Sequence, residues 1–233
     1  YDNKEILYKV DIGKVKFINK SGTIILRTGF KKTKEFSEGM IAVKIDKWGF
    51  LNDKGEMVIK PKYMKCESFS EGLALIKKRE NEKKKWGYID YQGNLKIYPE
   101  YNAGQSFSEG FAGVKKDKLW GFINKRGVVT VHFKFEEVRP FINGLSAVQT
   151  DGLWGLINYF GEYVISPKYD DIGNFNDGLA KVISEWNYGF IDSKGTLMIK
   201  PEYHFAYDFT EGSASVCDMQ TKKWGYINTK GKV

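Results

Sequence analysis

Residues 47–63 read Lys47-Trp48-Gly49-Phe50-Leu51-Asn52-Asp53-Lys54-Gly55-Glu56-Met57-Val58-Ile59-Lys60-Pro61-Lys62-Tyr63. Their residue types spell out a β-hairpin. Residues 48–51 are aromatic and aliphatic, as a short strand requires. Asn52 suits the start of a type I turn, and Gly55 suits the position of positive φ that ends it. Residues 56–60 form the returning strand, and Pro61, which has no N–H for a ladder, marks a strand end or edge. Residues 68–72, Ser-Phe-Ser-Glu-Gly, then make a bend with one buried aromatic, and residues 73–76 make a third strand.

This pattern recurs along the chain. Trp-Gly stands at Trp48, Trp86, Trp120, Trp154 and Trp224, with Tyr188-Gly189 filling the gap and a degenerate copy starting at Val15. A glycine follows seven residues later in every copy, from Gly22 and Gly55 to Gly231. Prolines at 61, 99, 167 and 201 keep one phase, as do the bends at Phe36, Phe69, Phe107, Phe141, Phe175 and Phe209. No segment shows a helical apolar period. The repeat of about 34 residues therefore predicts an all-β array of units starting near 15, 48, 86, 120, 154, 188 and 224, within a single domain 1–233.

Units this small must stack to bury their apolar faces. The expected architecture is a seven-bladed β-propeller, closed by pairing the C-terminal stretch from Trp224 with an N-terminal strand over residues 6–10. An open β-solenoid is the alternative. One insertion, residues 77–85, lengthens a hairpin by about four residues relative to its neighbours.

The 233 residues carry 37 Lys and Arg against 29 Asp and Glu, a net charge of +8 that suits solubility or an acidic partner. No apolar run is long enough for a membrane-spanning helix. Cys66 and Cys217 fall at different phases and read as isolated thiols. Starting at Tyr1, the sequence reads as processed or trimmed, which leaves two locations open: the cytoplasm, or export with a signal removed.

Catalytic, cofactor and metal residues are not expected. His132 and His204 lie in different units without partners for a triad or a metal site. Neither a phosphate loop nor a dinucleotide fingerprint occurs. The acidic residue before each bend glycine (Glu38, Glu71, Glu109, Asp177 and Glu211, with Asn143 in the fourth unit) is read as closing a local hydrogen bond to the bend N–H groups. A ring of cation ligands is the other reading. The in-phase tryptophans read as core between units, whereas Trp186 is out of phase and expected to be exposed. Residues 77–85 hold six basic and two acidic side chains. The expected partner contacts are Trp186, Lys78, Arg79, Lys83, Lys84 and Lys85. No basic stripe recurs across units and no recognition helix appears, so specific nucleic-acid binding is not expected.

The landmarks resemble the bacterial WG-repeat family, also called KWG repeats, as seen in residues 47–55, 59–63 and 69–74 and again in 153–158 and 165–170. The resemblance implies an interaction region without a shared activity. The expected function is therefore a non-catalytic protein–protein interaction or scaffolding module. A carbohydrate- or cell-wall-binding module is the alternative, from aromatic richness and a distant likeness to cell-wall-binding hairpins.

Overall fold

The turn read from Asn52 forms as its residues dictate. Asn52 Oδ1 accepts the N–H groups of Lys54 (3.1 Å) and Glu56 (2.9 Å), while the Gly55 N–H donates to the Asn52 carbonyl (3.0 Å). Gly55 sits at φ 81°, where a side chain is penalised. Asp90 does the same for Gln92 and Asn94. Burial pushes the Asp90 carboxyl up, but these hydrogen bonds outweigh it and hold the group below its ordinary range.

Trp-Gly has a different cause, visible only in the register. Trp48 pairs with Tyr63, and Phe50 pairs with Ile59, so Gly49 alone stands opposite Lys60, Pro61 and Lys62. The longer strand bulges over the glycine. A Cβ at Gly49 would lie 2.4 Å from the Ile59 carbonyl oxygen and 2.8 Å from Pro61 N. Gly87, Gly121, Gly155 and Gly189 are covered in the same way. Pro61 therefore lies inside the strand Met57–Tyr63, in its bulge, not at a strand end, and that strand is the outer one of its sheet, the edge position the sequence also allowed. Its missing N–H costs nothing where the ladder is already interrupted.

This computed structural model describes residues 8–12, 14–18, 24–27, 30, 32–80 and 82–233, and all of its regular elements are strands. The strands β1 (Tyr8–Ile12), β2 (Lys14–Ile18) and β3 (Ile24–Arg27) form a three-stranded meander. Next come β4 (Lys32–Thr33), β5 (Met40–Lys44), β6 (Trp48–Asn52) and β7 (Met57–Tyr63), ordered as numbered. The following sheet is β8 (Lys65–Cys66), β9 (Ala74–Glu80), β10 (Lys83–Ile89) and β11 (Leu95–Tyr101). Another is β12 (Ala103–Gly104), β13 (Phe111–Lys116), β14 (Leu119–Asn124) and β15 (Val129–Phe135). It is followed by β16 (Glu137–Val138), β17 (Ser146–Thr150), β18 (Leu153–Ile157) and β19 (Tyr163–Tyr169). The last sheet has six strands: β20 (Asp171–Asn176), β21 (Leu179–Ser184), β22 (Asn187–Asp192), β23 (Leu197–Ala206), β24 (Ser213–Asp218) and β25 (Trp224–Asn228). Neighbouring strands pair antiparallel, for example β9 with β10 and β22 with β23.

Each sheet thus joins the third strand of one sequence unit to the Trp-Gly hairpin of the next. The N-terminal strand follows this rule, since β1 pairs with β2; residues 6 and 7 of the expected strand lie outside the described residues. The chain divides into two compact units, Tyr1–Asp117 with Phe122–Val129, and Lys118–Gly121 with Thr130–Val233.

The core differs from the expectation in one respect. Trp48, Trp86 and Trp154 are only half-buried, Trp224 is 55% exposed, and Trp120 alone is buried. The core belongs instead to the residue two places on: Phe50, Tyr88, Phe122 and Phe190 are fully buried. The two positions share one face of the strand, but the tryptophan lies at the strand start, nearer the rim. Bend phenylalanines complete the core, with Phe50 edge-on to Phe69 (5.0 Å between ring centres) and Phe190 edge-on to Phe209 (4.7 Å).

The carboxylates of Glu38, Glu71 and Asp177 reach past their own bends to the next one. Glu38 and Gly39, at φ 53° and 78°, turn the chain between Ser37 and Met40. The Glu38 carboxylate then accepts the N–H groups of Glu71 (2.8 Å) and Gly72 (2.9 Å), in the next repeat's bend. Glu71 reaches Gly110 N–H (2.9 Å) in the same way, and in the second unit Asp177 reaches Gly212 N–H (2.8 Å). Serines run parallel to this ladder: Ser37 Oγ donates to the Phe69 carbonyl and Ser70 Oγ to that of Phe107, both at 2.7 Å.

Candidate interaction sites

The lysine-rich insertion is a regular hairpin. Strands β9 and β10 run to Glu80 and Lys83, with Glu82 at φ 65° in the turn. Lys77 stands opposite Trp86, and its ammonium lies 5.2 Å from the centre of the indole. Further out, Arg79 is paired across the strands with Lys84, and Lys78 with Lys85. Like charges placed directly opposite each other destabilise a sheet. Lys85 Nζ donates to Asn102 Oδ1 (3.1 Å), while Arg79, Lys83 and Lys84 are exposed.

Trp186 occupies a two-residue turn between β21 and β22, closed by the Ser184–Asn187 pair. Glu185 and Trp186 have φ 51° and 67°, and Trp186 is 87% exposed. Two residues before its own Trp-Gly, the preceding repeat has Gly152 at φ 75°. A bulky side chain thus replaces glycine where the backbone disfavours it, and gains no burial in return. The five basic residues and Trp186 sit at equivalent hairpins of different repeats. The basic hairpin belongs to the first compact unit and Trp186 to the second.

Sequence reasoning missed two features. Beside Trp48 lies a cleft of about 600 Å³, lined by Lys32, Thr33, Lys34 and Glu67 among others. Lys34 and Glu67 form an ion pair there, and Thr33 Oγ1 has no hydrogen-bond partner among the described residues. On the last strands, Trp224 packs against Phe205 (5.8 Å) and Tyr207 (5.7 Å), beside Tyr226, which is 70% exposed. Exposure of a strand position that is core in the other repeats would have been legible only with the strand pairing known.

Among the described residues, no group of three His, Cys, Asp or Glu side chains is placed to hold a metal ion. His132 and His204 are exposed. Both cysteines are buried and unbridged, and burial pushes the Cys66 thiol up to about 12, which keeps it protonated at neutral pH. No described helix is long and apolar enough to cross a membrane.

The family model of the WG-containing β-repeat matches six times, over residues 17–47, 48–81, 86–120, 120–154, 154–183 and 188–218. The chain belongs to the WG-repeat family. No curated protein matches this WG-repeat chain. Among solved structures it is similar to a eukaryotic initiation factor, at 8% identity and a TM-score of 0.60, covering 94% of this chain and 69% of that one. It is also similar to Hsv2p of Kluyveromyces lactis, a propeller-like protein, at 10% identity and a TM-score of 0.54, covering 94% and 88%. At such identities the likeness is one of fold alone.

Proposed function

We propose that this WG-repeat protein is a non-catalytic protein–protein interaction module whose hairpin turns, above all residues 77–85, dock an acidic partner surface. The carrying observation is the pairing of Arg79 with Lys84 and of Lys78 with Lys85. Within the chain this arrangement is unfavourable, and an anionic surface laid against it reverses the sign. In the second unit Trp186, held exposed on the equivalent turn, offers an aromatic contact of its own. In this reading the four-stranded meanders are blades of a seven-bladed propeller. The likeness to a propeller-like protein supports that arrangement. Closed, the chain has a radius of gyration of about 17 Å in small-angle scattering, and an open rod exceeds it.

The test is affinity capture from the source cells at low and physiological salt, run in parallel with Arg79→Glu/Lys84→Glu. One protein retained at physiological salt by the parent and lost by the variant supports the reading. Equal capture by both removes the hairpin from it. A glycan reading has one observation in its favour, the open indole of Trp48 beside the Lys34–Glu67 pair. Glycan-array binding lost in Trp48→Ala would establish that alternative.

A further inference from the structure

Where the outer strand of one repeat meets the next repeat, three equivalent places differ in what fills them. In the second unit a tyrosine fills the place. Tyr163, opening β19, sets its ring edge-on to Phe135, the last residue of β15, at 6.5 Å between ring centres. The Lys134 ammonium lies 5.2 Å from the centre of the Phe135 ring and 5.7 Å from that of Tyr163. The Tyr163 and Thr150 hydroxyls are hydrogen-bonded at 3.2 Å. In the first unit, the place next to Tyr101 holds an ion pair instead, Lys116 Nζ to Glu100 Oε2 at 3.0 Å.

The third place, at Tyr63 in the same first unit, is an open cleft. Its volume is about 370 Å³, and it is lined by Lys62, Tyr63, Lys78, Gly93, Asn94 and Leu95. Strand register fixes the correspondence. Tyr63 ends β7 as Phe135 ends β15. Leu95 pairs with Ile89 as Tyr163 pairs with Ile157. Lys78 pairs with Lys85 as Thr150 pairs with Leu153, each pair directly preceding a Trp-Gly. Leu95 thus stands where the tyrosine stands but brings no ring, and Lys78 stands where the tyrosine's hydroxyl partner stands. Lys62 keeps the part of Lys134, with its ammonium 5.3 Å from the centre of the Tyr63 ring. The lining holds two lysines and no carboxylate, whereas their counterparts next to Tyr101 are Glu100 and Lys116, which neutralise each other. The Asp90 carboxylate, whose charge reaches Tyr63, is engaged by its own turn and by Lys96 at 3.5 Å.

We propose that the cleft at Tyr63 binds an aromatic ring carrying an anionic oxygen group, seated as the Tyr163 ring is seated in the second unit. The ring packs edge-on to Tyr63, and the Lys62 ammonium attracts both rings as Lys134 does. The oxygen of Tyr163 meets a hydroxyl at Thr150. In the cleft the corresponding atom meets the Lys78 ammonium, and a charge-assisted contact there selects an anion over a neutral phenol. The volume falls in the small-ligand range of about 300–1,000 Å³. An aryl phosphate has this chemistry, either as a free small molecule or as a phosphorylated tyrosine of an acidic partner. In the second case the cleft anchors the docking proposed above for the hairpin and rests on that reading, and in the first it stands without it.

The probe is phenyl phosphate, titrated into the whole protein at physiological salt and followed by two-dimensional amide NMR. Saturable shifts at residues 62–63 and 93–95 are expected, with a dissociation constant of about 1 mM. Cyclohexyl phosphate, which has no π faces, should bind about fivefold more weakly. Leu95→Tyr installs the ring that fills the second-unit place, so it should keep the parent's unfolding midpoint and abolish binding. Lys78→Thr, which restores the hydroxyl found at Thr150, should weaken phenyl phosphate about tenfold. No saturation up to about 10 mM, equal binding by the parent and Leu95→Tyr, or equal binding of the two phosphates would overturn the proposal. A phosphotyrosine peptide with acidic flanks separates the two sources. Tighter binding than phenyl phosphate, reduced by Arg79→Glu/Lys84→Glu, assigns the cleft to a partner protein, and equal binding assigns it to a free aryl phosphate. Phenyl phosphate bound by a protein that captures no partner would remove the docking reading and leave the cleft standing.

Discussion

Replacing Gly87 by Ala should be among the most damaging single-atom additions the chain can receive. The new Cβ would lie 2.6 Å from the Ile97 carbonyl oxygen and 2.8 Å from Pro99 N, where ordinary contact begins near 3.4 Å. Both obstacles are backbone, so no side chain can rotate aside. The strands must part by about 0.8 Å, the difference between those two distances. Overpacking of this kind costs about 1–3 kcal/mol, and loosening two ladder hydrogen bonds adds about 1 kcal/mol each. The expected loss is about 3–5 kcal/mol. Gly225→Ala is the matched control, since it changes the unfolded chain alike but meets no atom within 4 Å. It should gain about 0.5–1 kcal/mol from reduced unfolded-state freedom. Urea unfolding of both variants, followed by tryptophan fluorescence, reads the difference as a shift in midpoint at constant slope. A difference below about 1 kcal/mol would refute the claim that the bulge is what demands glycine after tryptophan.

The bend ladder predicts unequal costs. Glu38→Ala removes acceptors from Glu71 N–H, Gly72 N–H and the Tyr91 hydroxyl, for a loss of about 2–3 kcal/mol in this partly exposed setting. Asp177→Ala, with one exposed bond to Gly212, should cost about 1 kcal/mol or less, and equal losses in urea unfolding would contradict the ladder. Trp186→Asn should raise stability by about 0.5–1 kcal/mol by easing the left-handed turn, and thermal unfolding that shows destabilisation would mean the indole packs after all. Alkaline pH gives another check. Burial raises the Tyr63, Tyr91 and Tyr101 hydroxyls to about 12, helped at Tyr91 by its bond to Glu38. The fold therefore favours the protonated phenols over the unfolded chain, where they titrate near 10. Their stabilisation is complete below pH 10 and is lost as pH rises through about 12, so a denaturation midpoint flat across this interval would contradict the assigned burial.

The local chemistry of the repeat was legible in the sequence because it acts over a few residues. Asn52 and Gly55 announce their turn, and the phase of Phe69 announces a buried bend. What escaped acts across strands or repeats. Gly49 is demanded by Ile59 and Pro61, ten and twelve residues away in a register that residue types alone do not reveal. The Glu38 carboxylate finds its partners 33 and 34 residues on, and nothing near it in the chain distinguishes that from a local cap. Trp48 looked like core because it is large and periodic, yet the pleat gives the centre of the strand to Phe50. Trp186 was singled out by its phase, and its exposure follows from the turn it occupies.

The carboxylate ladder also gives the array a direction. Glu38, Glu71 and Asp177 each reach forward into the following bend, so these repeats carry a plug on one side that fits a socket on the next. A gene segment encoding one whole repeat, copied or deleted in phase, leaves plugs facing sockets at both new junctions. A break at any other phase leaves a carboxylate without its bend. Such a chain can lengthen or shorten by duplication and loss without inventing a new joint, and its surface hairpins are then free to diverge one repeat at a time.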